Sequence, residues 1–176
     1  MSNDLLIHAT GLAALALNVV ALVCTCERRL RVRSGIAGMA WALNNFLLGA
    51  HAAAALSVVS AGRTATSAAT LHRAGHARRI AFLGFVGLTL AIGVATWNGW
   101  PALVMTAASV LSTYAVFHMT GRALRWTMLV VSAMWMLNAW TVGSWEQIAA
   151  NVLSGAACLV GACRVGRRPS LQLETA

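Results

Sequence analysis

Apolar residues run along this chain in stretches long enough to cross a bilayer, at about 20 residues per spanning helix, and each stretch is closed by charge or by a turn residue. Read this way, the sequence predicts seven spans near residues 5–25, 34–49, 51–71, 79–97, 101–119, 124–142 and 145–163. The second and third meet at Gly49-Ala50-His51, the sixth and seventh at Gly143-Ser144-Trp145. Each junction is a turn containing glycine.

Two of these stretches echo one another. Residues 41–50 read WALNNFLLGA and residues 135–144 read WMLNAWTVGS. Sliding residues 11–73 over 105–167, a shift of 94 without gaps, gives 16 identities in 63 positions. The informative ones are Trp41/Trp135, Leu43/Leu137, Asn44/Asn138 and Gly49/Gly143. Arg28/Arg122, Leu30/Leu124, Arg31/Arg125, Ser60/Ser154 and Arg73/Arg167 accompany them. The fourth span reverses direction between the halves, so both three-span units start on the same side. The expected fold is an all-α membrane domain over residues 1–176: repeat one at 5–71, a linker helix at 79–97, repeat two at 101–163 and a tail at 164–176. Parallel repeats of this kind are related by an axis along the membrane normal and hold their sites near the midplane between repeats.

Composition agrees with the pattern. Of 176 residues 59% are apolar and 10% charged, and the mean hydropathy is +0.73. The net charge of +9 comes entirely from arginine, since the chain has no lysine. The arginine clusters follow spans one, three, five and seven, all on one side. By the positive-inside rule the N-terminus is external and the C-terminus cytoplasmic. The charge is thereby assigned to topology and to anionic lipid at the cytoplasmic face, at ~1 kcal/mol per basic side chain, and nucleic-acid binding is not needed to explain it. Trp97, Trp100 and Trp145 suit an external aromatic belt and Trp126 an internal one. The N-terminus lacks the basic region of a cleavable signal peptide.

Chemistry-bearing residues are few. Asp4, Glu27, Glu146 and Glu174 fall outside the spans or at their edges, so acid–base catalysis and proton coupling through carboxylates have little to work with. Metallopeptidase, phosphate-loop and serine-hydrolase motifs are missing, so no enzyme activity, catalytic residue, metal or cofactor is expected. Cys24, Cys26, Cys158 and Cys163 read as small apolar filler at helix ends. His72 and His76 stand four apart beside several arginines and read as solvated loop residues.

The polar residues inside spans carry the functional expectation. They come in pairs related by the shift: Asn18/Ser112, Asn44/Asn138, Ser57/Asn151 and Ser60/Ser154. Two readings of Asn44 and Asn138 stand open: a facing pair near the midplane that lines a solute path, or hydrogen-bonding glue between helices. Asn45 lacks a repeat partner. Arg63 lies deep within a span, a placement that costs ~2.5 to 3.5 kcal/mol on insertion scales, and its repeat position holds Ala157. Snorkelling to the cytoplasmic interface, binding an anionic group in a cavity and hydrogen bonding to Asn18 all compete for it. The expected substrate-contacting set is Asn44, Asn138, Asn151, Ser57 and Arg63. It would serve facilitated passage or binding of a small polar or anionic solute. The alternative is a non-transporting scaffold or lipid- or partner-binding protein with a dry core, packed through small-residue faces such as Ser34 to Gly38 and Gly84 to Gly87. A homodimer is compatible with either.

The stretch ERRLRVRSGIAGMAWALNNFLLGAHAAAALSVVSAGRT, with its basic run, FLLG turn and intramembrane Arg63-Thr64, resembles the YgjV-like bacterial inner-membrane proteins. So does LSTYAVFHMTGRALRWTMLVVSAMWMLNAWTVGSWEQIAANVLSGAACLV, and the resemblance runs from about residue 11 to 168. It implies a small multi-pass protein of the bacterial inner membrane. More distantly, three plus one plus three helices look like the SWEET and PQ-loop transporters, which place prolines in the first helix of each repeat. Here the prolines are Pro101 and Pro169, so a proline hinge does not carry over.

Overall fold

A computed structural model describes residues 2–22, 27–70, 75–141 and 143–166. Cys24, Cys26, His72, Glu174 and the tail from residue 167 lie outside the described residues. Within them the chain forms seven α-helices and no strand: α1 Ser2–Leu22, α2 Glu27–Leu47, α3 His51–Ala69, α4 Gly75–Ala95, α5 Trp100–His118, α6 Gly121–Thr141 and α7 Trp145–Gly166. Connections are short, so successive helices run antiparallel. One end of the bundle therefore holds Trp97, Trp100 and Trp145, and the other holds Arg28, Arg29, Arg78, Arg79 and Arg122. Helices α4 and α5 and residues Trp145–Cys163 of α7 are long and apolar enough to cross a membrane, and Leu5–Ala21 is a shorter apolar helix.

Helix α2 differs most from the expected span at 34–49: it begins at Glu27 and takes in the whole basic run. An apolar window trims arginines that the backbone keeps, because arginine is a good helix former whose long stem lies along apolar neighbours. The same trimming hid Arg78 in the start of α4, together with His76, expected in a loop, and Arg122 in the start of α6.

The junctions after α2 and α6 are built alike. Gly49 and Gly143 take the left-handed conformation, at φ 73° and 69°. Gly49 N–H donates to Phe46 O (3.0 Å) and Ala50 N–H to Asn45 O (2.9 Å). At the second turn Gly143 N–H donates to Trp140 O (3.2 Å) and Ser144 N–H to Ala139 O (3.1 Å). This is the Schellman closure, which satisfies the last carbonyls of a helix and needs a residue without Cβ at its left-handed position.

Helix α1 packs on α2 and α7; α3 packs on α2, α4 and α5; α6 packs on α5 and α7. Six helices thus close a ring in the order α1, α2, α3, α5, α6, α7, with α4 outside, across α3 and α5. Only 11% of the apolar window of α4 is buried, against 50% for α5. Helix α4 is held to α5 by Phe82 and Phe85 around the fully buried Phe117 and by close approach at Gly93. A Cβ at Gly93 would lie 2.8 Å from Thr106 Cγ2, and β-branched threonine has few rotamers to retreat into. Gly93→Ala is therefore expected to destabilise: overpacking costs ~1 to 3 kcal/mol, against a helix-propensity gain of at most about 1 kcal/mol. In a Thr106→Ala background the cost should shrink, because only the Cβ of residue 106, 3.1 Å from the added one, still crowds it. Thermal unfolding of the four proteins in detergent checks the sign and the coupling.

Candidate functional site

Across the ring α2 and α6 keep their backbones apart, and polar side chains stand among apolar ones in the space between them. Two cavities lie there. One, of about 190 Å³, is lined by Asn45, Ser57, Gln147 and Asn151 together with Trp41 and Trp135. The other, of about 240 Å³, extends toward the arginine end and is lined by Arg31, Arg63 and Arg125 among others. Asn18, Gly38, Trp41, Ser60 and Ser154 line both, so the two cavities adjoin at this waist and together make up a cleft.

Much of the lining consists of residues 94 positions apart. Trp41 faces the cleft with Trp135, and Ser57 with Asn151. Leu30 does so with Leu124, Arg31 with Arg125 and Thr64 with Cys158. Ser60 and Ser154 both stand at the waist. Of the residues expected to contact a solute, Ser57, Asn151 and Arg63 therefore reach the cleft.

Asn44 and Asn138 are placed otherwise. Asn44 is three residues from the end of α2 and not at mid-depth, because the helix begins earlier than the apolar run does. Its Nδ2 donates to Ile7 O (2.8 Å) and Thr10 Oγ1 (3.1 Å) on α1. Asn138 is buried in α6, and neither residue belongs to the lining of the two cavities. The two amides do not form the expected facing pair. Neighbouring Asn45 does the bridging: its Oδ1 accepts from Gln147 Nε2 (2.5 Å) and its Nδ2 donates to Ser57 Oγ (3.2 Å). Gln147 is set by the start of α7, where the Ser144 hydroxyl accepts its backbone N–H (3.4 Å) as an N-cap side chain does. Asn151 Nδ2 turns back onto Gln147 O (2.8 Å), which leaves its carbonyl for the cleft.

Arg63 does not snorkel. The residue is 5% exposed; its Nη1 donates to Ser109 O (2.6 Å) and Thr113 Oγ1 (2.9 Å) on α5, and its Nη2 to Ser60 Oγ (2.9 Å). Nor does it meet Asn18, which donates instead to Ser154 Oγ (2.6 Å). At the arginine end, Arg31 reaches from α2 to Val116 O on α5 and to Ser67 Oγ (3.1 Å) on α3. Arg125 lies against Gly161 of α7, where a Cβ would stand 2.7 Å from the guanidinium carbon. Ser67 and Gly161 are themselves 94 apart. At the tryptophan end the α1/α7 seam is closed by His8 Nδ1 against the Glu146 carboxylate.

A family model described as bacterial inner membrane protein, Imp-YgjV, matches residues 5–168. The chain belongs to this family. As an Imp-YgjV protein it resides in the bacterial inner membrane, and its membrane-capable helices fit that compartment. Searches of curated proteins and of solved structures returned no match.

Proposed function

We propose that this Imp-YgjV protein binds a small polar solute in the cleft between two parallel three-helix repeats and lets it pass across the inner membrane without coupling to protons. The observation that carries the reading is the lining itself: residues 94 positions apart face two adjoining cavities that hold amide, hydroxyl and arginine side chains. A dry scaffold has no use for such a cleft. The matched Schellman turns at Gly49 and Gly143, and a ring in which the α1/α7 contact mirrors α5/α3, support the duplication. In this reading all seven helices span, with the arginine end cytoplasmic and against anionic lipid. Asn45, Gln147 and Asn151 offer amides, Ser57, Ser60 and Ser154 offer hydroxyls, and Arg63 attracts negative charge.

Proteoliposomes loaded with a panel of neutral and anionic metabolites test it. At least one solute should equilibrate faster than in empty liposomes, and Gln147→Leu should slow it severalfold by stranding the Asn45 carbonyl, a defect of ~1 to 3 kcal/mol. A panel in which no solute moves, or moves equally with Gln147→Leu and Arg63→Ala, overturns the proposal.

A further inference from the structure

The arginine-end cavity is lined by three arginines from three helices. Arg31 on α2 and Arg125 on α6 are the repeat-equivalent pair, and Arg63 on α3 is the addition that breaks the symmetry. Around them stand the hydroxyls of Ser34, Thr64 and Ser132, and the described residues lining this cavity include no aspartate or glutamate. Glu146 is at the other end of the bundle, against His8. Arg63 spends its bonds on one carbonyl and two hydroxyls, so its charge is solvated by neutral partners. Inside a membrane such charges are costly unless they line a wet cavity or meet an opposite charge. Guanidinium forks with hydroxyls between them are the usual means of holding carboxylate or phosphate oxygens.

We infer that Arg31, Arg63 and Arg125 form a binding site for an oxyanion, a carboxylate or phosphate group carried by a small solute or by a lipid headgroup. Arg31 and Arg125 clamp the anion from the two halves and Arg63 holds it from the waist side. The inference rests on the reading of the cleft as a solute site, and it is tested by binding alone, without flux.

The protein is reconstituted in nanodiscs of zwitterionic lipid and titrated with inorganic phosphate, with succinate and with a short-chain phosphatidylglycerol. Tryptophan fluorescence reports binding because Trp41 lines the cavity, and calorimetry gives the affinity. Saturable binding of phosphate or succinate, weakened roughly tenfold or more by Arg31→Gln and by Arg125→Gln and unchanged by Arg122→Gln, supports the site with a free solute. The same pattern for phosphatidylglycerol alone supports it with a headgroup. If a glutamine variant does not fold, Arg31→Lys and Arg125→Lys take its place, keeping the charge while removing the fork. Absence of saturable binding by all three anions, or binding indifferent to the arginines, overturns the inference. Binding that survives in a protein showing no flux sinks the transport reading and leaves this site standing.

Discussion

Arg63→Met is expected to raise the melting temperature of the detergent-solubilised protein while abolishing its response to anions. The sign follows from what the arginine leaves behind. Ser109 O also accepts from Thr113 Oγ1 (2.7 Å) and Ser112 Oγ (3.2 Å), and Ser60 Oγ faces the cleft. Removing the guanidinium strands no buried acceptor, whereas Arg63 Nε has no acceptor among the described residues. Replacing a buried charge by an apolar side chain of similar reach is often stabilising, by ~1 to 4 kcal/mol. Arg63→Ala vacates volume at the α3/α5 seam and should lose much of that gain. A higher melting temperature with lost binding marks Arg63 as a residue that costs stability and serves function. A drop of several degrees with Arg63→Met would instead make it a staple between α3 and α5.

Blocking the waist has the largest expected effect on passage. Ser154 stands where the two cavities join and accepts from Asn18 across the α1/α7 seam. Ser154→Phe puts a ring into a constriction built for hydroxyls, and flux should fall to the level of empty liposomes. Ser154 also lines the arginine-end cavity, so the larger side chain should weaken anion binding there as well. Ser154→Ala loses two hydroxyl bonds, the one accepted from Asn18 and the one donated to Ala150 O (2.6 Å), each about 1 kcal/mol, and should keep most of the flux. Undiminished flux through Ser154→Phe would mean that solute does not travel through this cleft.

The sequence made the helices, their glycine turns and part of the lining legible, and each success has a local cause. Helix number follows from apolar length, and Gly49 and Gly143 are conspicuous because a left-handed helix end admits few other residues. Ser57 with Asn151 and Ser60 with Ser154 emerge from the 94-residue shift because both members keep a polar group. Asn44 and Asn138 misled for a geometric reason. Successive residues on a helix point about 100° apart, so Asn44 looks toward α1 while Asn45 looks into the cleft. An identity between halves does not say which side of the helix carries it. Gln147 was hidden behind Ala53, its counterpart, and Arg31 and Arg125 behind the orientation rule, which treats every terminal arginine as a topogenic charge. Their match at the 94-residue shift was visible in the sequence; the burial of Arg31 required the longer α2, and the place of Arg125 against Gly161 required the packing of α6 on α7.

The two seams that join the halves are not mechanically equal. At α3/α5 the packing of Ala53, Leu56 and Met105 is shared with Ile92 of α4, and the α4 aromatic contacts splint the joint from outside. At α1/α7 the described side-chain hydrogen bonds are His8 with Glu146 and Asn18 with Ser154, and water or a passing solute can replace such bonds. With α4 laid across one seam and, among the described residues, nothing laid across the other, α1 and α7 are where the ring is expected to part first, an outcome hydrogen exchange would show as faster exchange in α1 and α7 than in α3 and α5.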